Sequence, residues 1–166
     1  MNVIYPGSFD PVTNGHINIA RRSGNICKKV IVAVLDNPHK APMFTISERV
    51  AMLEDVFRQD ENIHVETFSG LLIDYASKKG INAIIRGVRG HADMISEVPY
   101  AVWNNQLSGG GIETLYLPAS PSFAHISSSI VREVAAHLYK DGLDDRILAS
   151  SVPPVVLSAL RKKLEI

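Results

Sequence analysis

Between Val3 and His16 the chain has little conformational choice. Val3-Ile4-Tyr5 is a short apolar run that reads as a buried strand. Pro6-Gly7 and Asp10-Pro11 then break regular structure twice within six residues, so the strand must empty into a tight, rigid turn. Thr13-Asn14 supplies helix-start chemistry, and Ile17, Ile19, Ala20 and Ile26 continue as a helix with one buried face. In a parallel α/β sheet, such a strand, glycine turn and helix form the place where a ligand's phosphates gather. The turn's free backbone N–H groups and the positive end of the helix point at one spot. His16 falls on the first helical turn, within reach of that spot. A histidine at a helix start is more often solvated or capping than catalytic, so position alone makes His16 a candidate and no more.

The remainder of the chain repeats the same alternation. Lys29 to Leu35 is a nearly continuous β-branched run, the pattern of a strand covered on both faces. A proline-marked loop follows, from Asp36 to Pro42, and Thr45 with Glu48 predicts a capping box for a helix through Val50, Met52, Leu53 and Val56. Ile63 to Phe68 alternates as a strand nearer a sheet edge would. Leu71 to Ala76 reads as a helix closed by Lys78, Lys79 and Gly80, and Ala83-Ile84-Ile85 is the next strand. That strand delivers Arg86-Gly87-Val88-Arg89-Gly90 at its carboxyl end. Two guanidinium groups there suit phosphate, although a structural ion pair would explain them equally well.

Asp93 to Leu107 predicts a helix with Met94, Val98, Ala101, Val102 and Leu107 facing inward, kinked or split at Pro99. After the glycine link at 108–111, Thr114 to Leu117 is the last strand. A second proline-marked loop, Pro118 to His125, leads into Ser127-Ser128-Ser129 at a helix start, where serines cap free N–H groups and can also cradle an anion. Lys140 to Ser151 reads as a loop region, and a C-terminal helix starts at Pro153-Pro154. The expected fold is α/β: a Rossmann-like, doubly wound, five-stranded parallel sheet in a single domain over 1–166, with a C-terminal helical extension at about 128–166.

Composition narrows the partners. Lys plus Arg and Asp plus Glu both number 17, so no excess of positive charge advertises nucleic acid and any anion site must be local. The single cysteine, Cys27, lies among apolar neighbours and reads as a core thiol. No leader-like segment and no stretch of membrane-spanning length is present, and a soluble, cytoplasmic protein is expected. No Ser-His-Asp set, paired carboxylates or acidic metal cage can be picked out.

Gly7-Ser8-Phe9-Asp10-Pro11 followed by Gly15-His16 resembles the first signature of the nucleotidyltransferase superfamily, with Ser8 in place of the commoner threonine. Lys40-Ala41-Pro42-Met43-Phe44, Arg86-Gly87-Val88-Arg89, Ile126-Ser127-Ser128-Ser129 with Val131-Arg132-Glu133-Val134-Ala135, and Val152-Pro153-Pro154-Val155-Val156 are similar, in order, to segments of one branch. That branch is the bacterial phosphopantetheine adenylyltransferases. The chain departs from it at Gly90-His91, Ile95-Ser96, Pro99 and His125.

The resemblance implies transfer of AMP from ATP to 4′-phosphopantetheine, the penultimate step of coenzyme A synthesis. It implies His16 as transition-state stabiliser, with Lys40 and Arg89 beside it as catalytic groups. It puts Ser8, Phe9, His16, Gly87, Val88, Arg89, Glu97, Phe123, Ala124, His125, Ile126, Ser127, Ser128 and Ser129 on ATP, and Ser8, Lys40, Leu72 and Arg86 on the acceptor. Mg2+ would be carried with ATP, with no protein metal ligand. Coenzyme A as a feedback ligand and a homohexamer complete the implied partners, with no nucleic acid and no membrane. Two other readings stay open on sequence: a superfamily member with a different acceptor, such as nicotinamide mononucleotide, and a non-catalytic nucleotide-binding regulator on the same fold.

Overall fold

The structure, a computed structural model, describes residues 1–36 and 41–164. Five strands, β1 (Asn2–Gly7), β2 (Lys29–Leu35), β3 (Ile63–Phe68), β4 (Ala83–Val88) and β5 (Glu113–Pro118), form one sheet in the order β3-β2-β1-β4-β5. Every pairing is parallel. Between the strands run α1 (Asn14–Ile26), α2 (Ile46–Phe57), α3 (Leu72–Lys78) and α4 (His91–Leu107), and α5 (Ser128–Lys140) and α6 (Pro154–Lys163) complete the chain.

Strand alternation divides the core between the two faces of the sheet. Val3, Val30, Val32 and Ile85 pack with Ile19 and Ala20 of α1, Met52 and Leu53 of α2, Val131 of α5 and Val156 of α6. Ile4, Ile31, Ala33 and Ile84 point the other way, against Ile73 and Ala76 of α3. Burying each of the valine, leucine, isoleucine and methionine side chains among these contributes roughly 1.5–3 kcal/mol, which makes the strand register costly to shift, since a slip by one residue would exchange the faces.

The path after β3 crosses to the far side of β1, so the strand order reverses between β1 and β4. These two strands pair only at Val3 with Ala83 and Ile4 with Ile84, whereas β1 stays paired with β2 as far as Gly7. The crevice of a doubly wound sheet opens at such a reversal, at the carboxyl ends of the strands.

Three expectations need correction. Of the two outcomes expected at Pro99, a kink or a split, the split does not occur, since the helix runs unbroken from 91 to 107; the carbonyl of Ile95, which the missing proline N–H would have bonded, belongs to an exposed residue and can turn to water. The face expected to point inward is not buried: no residue of α4 is, and Val98, Val102 and Leu107 are 43%, 51% and 55% exposed. The segment read as a loop from 140 to 151 contains a 3-10 helix, Asp145–Ser150, whose start is capped by the Asp144 side chain accepting from the Arg146 N–H at 2.8 Å. Among the described residues no helix is long and apolar enough to cross a membrane.

Candidate active site

The turn after β1 is built over a buried phenylalanine. Phe9 has φ of 46°, an uncommon conformation for a residue with a side chain, and its ring is only 1% exposed. The ring folds back beneath Gly7, where a Cβ would sit 2.9 Å from Phe9 Cζ, so only glycine admits it. It meets His16 edge-on, with centroids 5.1 Å apart. Asp10 locks the far side of the turn: its buried carboxylate accepts from the N–H groups of Met43 at 3.0 Å and Phe44 at 2.8 Å, and lies 3.4 Å from the Arg132 guanidinium. Arg49, also buried, donates to the Ser8 carbonyl at 2.8 Å.

His16 is the third residue of α1 and closes a capping box. Thr13 Oγ1 accepts from the His16 N–H at 3.4 Å, and His16 Nδ1 accepts from the Thr13 N–H at 3.1 Å. A backbone N–H can only donate, so Nδ1 holds its lone pair towards Thr13 and the neutral ring carries its proton on Nε2. His16 is half-buried in the wall of the crevice. Burial, and after it the positive charges of Arg89 and Arg86, lower its pKa to about 4.

The folded value lies below the unfolded one of about 6.5, so the unfolded chain binds the extra proton between them. The stability that the neutral ring provides is complete above about pH 6.5 and is lost as pH falls towards 4. Native protein is therefore expected to lose stability relative to His16→Gln over that interval in urea titrations. The His16 ring resonance of the free protein should titrate close to 4; a midpoint near 6.5 would overturn the assignment.

The opposite wall comes from β4 and α4. Arg86 donates from Nε to Glu97 Oε2 at 2.7 Å and from Nη2 to Glu97 Oε1, while its Nη1 donates to the Pro6 carbonyl at 3.0 Å. Arg89 makes a fork on Asp93, Nε to Oδ2 at 2.9 Å and Nη2 to Oδ1 at 3.0 Å. Between them, Gly87 admits Ile19 of α1 to within 3.1 Å of where a Cβ would lie. Tyr116 stands beside Arg86 in register on β5, yet its buried hydroxyl has no hydrogen-bond partner among the described residues.

The third side is the start of α5. Ser127 caps it, its hydroxyl accepting from the Ile130 N–H at 3.2 Å, and Ser128 donates to the Pro11 carbonyl at 2.8 Å. The N–H groups of Ser128 and Ser129 have no acceptor within their own helix and remain for an anion. These walls enclose an open cleft of about 330 Å³, with Phe123 and Ile126 supplying apolar surface.

Most of the expected residues meet here: Ser8, Phe9, His16, Arg86, Gly87, Arg89, Glu97, Phe123, Ile126 and the three serines all line the cleft. Val88, Ala124 and His125 belong to the lining segments without facing the cleft, and His125 is exposed. Leu72, at the start of α3, packs against the core on the other side of the sheet. Lys40 lies outside the described residues. Tyr5 and Asp93 line the cleft without having been expected there, and Asp10, Arg49 and Arg132 brace its turn. Among the described residues no three His, Cys, Asp or Glu side chains are gathered as a metal site. Among the described residues of the cleft none is arranged as an activated nucleophile with its base. What it offers is two guanidinium groups, one neutral N–H donor and a helix start, the equipment for holding and aligning phosphates.

Comparison with known proteins agrees with that chemistry. The family model described as cytidylyltransferase-like matches residues 4–134. A phosphopantetheine adenylyltransferase of Alkaliphilus metalliredigens is 46% identical over 160 residues, covering 96% of this chain and 97% of that one. One from Caldanaerobacter subterraneus subsp. tengcongensis is 42% identical over 162 residues, covering 98% and 96%. The solved structure of Plasmodium falciparum nicotinic acid mononucleotide adenylyltransferase complexed with NaAD shares the fold, with a TM-score of 0.63 at 19% identity, over 97% of this chain and 94% of that one. The chain belongs to the cytidylyltransferase-like family and, within it, to the phosphopantetheine adenylyltransferases.

Proposed function

We propose that this chain, acting as a single adenylyltransferase domain, transfers the adenylyl group of ATP to 4′-phosphopantetheine. The products are dephospho-coenzyme A and pyrophosphate, in the penultimate step of coenzyme A biosynthesis. The observation that carries the reading is the His16 Nε2–H, its tautomer fixed by the capping box, in a cleft that Arg86, Arg89 and the start of α5 also line. An oxygen of the acceptor phosphate attacks the α-phosphorus, a new P–O bond forms, and the bond to the bridging oxygen of pyrophosphate breaks. A phosphomonoester with a second pKa of about 6 is already largely ionised at neutral pH, so the protein needs no general base. Its task is alignment, and donation to the α-phosphate oxygens as charge builds on them.

In this reading Ser8, the Phe9 backbone and His16 meet the reacting phosphates. Gly87 to Arg89 and the segment from Phe123 to Ser129 hold ATP, and Arg86 with Lys40 holds the acceptor phosphate. Mg2+ carried with the triphosphate would supply charge neutralisation at the leaving group. It takes its ligands mainly from phosphate and water, which suits a cleft whose carboxylates, Asp93 and Glu97, are engaged by arginines. The exposed apolar surface of α4, with Val98, Val102, Trp103 and Leu107, supports assembly with further copies of the chain, as a homohexamer. Coenzyme A would act as a feedback ligand at the same cleft, and the protein would work in the cytoplasm.

The reading is tested by pyrophosphate release from ATP and Mg2+ with 4′-phosphopantetheine or nicotinamide mononucleotide as acceptor. Release dependent on phosphopantetheine is expected. Release with nicotinamide mononucleotide alone, or with neither despite ATP binding, would remove the assignment.

A further inference from the structure

We propose that Asn18 is a positioning residue for the nucleotide: it ties the loop between β5 and α5 to the helix that carries His16, and through that loop sets how tightly ATP is held. The proposal rests on the reading that the segment from Phe123 to Ser129 binds ATP. Asn18 lies on α1, two residues beyond His16, and is half-buried. Its Oδ1 accepts from the Ser120 hydroxyl at 2.9 Å and from Arg22 Nη1 at 3.4 Å. A guanidinium can only donate, so the amide must turn its oxygen and not its NH2 this way, and the Ser120 hydroxyl is the donor of its bond. Arg22 Nη1 also donates to the Pro118 carbonyl, at 2.6 Å.

The Ser120 hydroxyl goes where local structure alone would not send it. Ser120 stands at the N-cap of the short 3-10 helix Pro121–Phe123, where a serine hydroxyl ordinarily accepts from the helix's own N–H groups. Here it makes no such bond: the Phe123 N–H donates to the Ser120 carbonyl at 2.8 Å, and the hydroxyl crosses to α1. The contacts of Arg22 among the described residues are likewise to neutral oxygens of this link, so the guanidinium serves the loop rather than an ion pair. On its other edge the loop is held by the Ala119 N–H, which donates to the Val88 carbonyl at 2.8 Å. Just beyond the tie, Phe123 packs beside Gly15, where a Cβ would lie 3.7 Å from Phe123 Cβ. Ala119, Phe123 and Ile126 then supply apolar wall to the cleft. Asn18, Arg22 and Ser120 do not line the cleft themselves, so their effect on ATP runs through the loop. Arg86, with its Glu97 and Pro6 partners, shares no hydrogen bond with this cluster, which leaves the acceptor phosphate outside its reach.

The test reads KM for ATP, KM for 4′-phosphopantetheine and kcat in the full chain for native protein, Asn18→Leu, Ser120→Ala, their double variant and Asn18→Asp. Asn18→Leu is close in size but has no acceptor. It is expected to raise the ATP KM about fivefold, as the loss of one neutral hydrogen bond would, with the acceptor KM and the kcat at saturating ATP within about twofold of native. Ser120→Ala should raise the ATP KM to a similar extent, and the double variant no further than the larger of the two. Asn18→Asp keeps an oxygen for both donors and should hold the ATP KM within about twofold of native, a rescue that a loss of folding stability alone would not predict. Should Asn18→Leu fail to fold, Ser120→Ala is read in the same way. An ATP KM unmoved in these variants, an equal rise in the acceptor KM, rises that multiply in the double variant, or Asn18→Asp no better than Asn18→Leu would each overturn the proposal. The premise is read separately in native protein, where ATP and Mg2+ without acceptor should slow amide hydrogen exchange across residues 119–129. No protection there would overturn the reading that this segment binds ATP. Protection there with an unmoved ATP KM in the variants would overturn the role of Asn18 alone.

Discussion

Replacing His16 by alanine is expected to lower kcat about a hundred- to thousand-fold while the KM for ATP stays within about threefold of native. The asymmetry follows from where charge develops. In the proposed reaction the Nε2–H would face a phosphorus whose oxygens gain negative charge only as the new bond forms, so the donor matters more in the transition state than in bound ATP. Alanine also removes the acceptor that His16 Nδ1 offers the Thr13 N–H, and losing that half of a capping box costs roughly 1 kcal/mol of stability. Glutamine separates the two roles. At the third helical position its Oε1 can accept from the Thr13 N–H as a capping residue does, but its flexible amide is not fixed against Phe9 as the imidazole is, so its N–H donor is less firmly aimed. His16→Gln should therefore recover most of the stability and little of the rate. Near-native turnover in either variant would show that His16 only caps the helix.

That dual role marks the limit of what the sequence made legible. Threonine followed three residues later by glutamate announces a capping box, and Thr45 with Glu48 forms one, with contacts of 2.7 and 3.2 Å. Threonine followed by histidine carries no such signal, so His16 could be placed at the site from its position on the helix but its tautomer could not. The strands β1, β2, β3 and β4 were readable because residues of each are buried in a continuous core, which leaves a clear pattern in the apolar residues; β5, with no buried residue, was readable from its largely apolar run from Thr114 to Leu117. In α4 the same reasoning produced a periodic face and the wrong destination for it. Periodicity shows that a face is apolar, while the fold of a single chain leaves Val98, Val102 and Leu107 uncovered. Contacts between residues distant in sequence were illegible for a plainer reason. Nothing local in Arg49 or Arg132 says that they converge on the turn carrying Ser8 and Asp10.

Asp10 is where that convergence has its largest expected effect on stability. Its carboxylate is buried and accepts two backbone N–H groups, from Met43 and Phe44, while Arg132 stands beside it and donates to its carbonyl. Alanine leaves both N–H groups without a partner, one of them in the buried backbone of Phe44, and strips Arg132 of its counter-charge. Orphaned buried donors cost about 1–3 kcal/mol each, and a broken buried pair about 3–5 kcal/mol in all. The Arg132 side chain is 32% exposed and regains some solvation, which places Asp10→Ala at roughly 3–4 kcal/mol by urea unfolding, or a fall in Tm of about 10 °C. Asparagine keeps one acceptor oxygen but turns an NH2 towards the other donor, so it should lose a large part of the same stability. Both variants should also lower kcat, because the turn that carries Ser8 and Phe9 is held to the start of α2 through this carboxylate. A stability within about 0.5 kcal/mol of native for Asp10→Ala would mean that the Pro42-Met43-Phe44 segment holds its place without Asp10, and that the Phe9 ring, with the Arg49 and Ser128 bonds to the turn's carbonyls, is enough to shape the turn beneath His16.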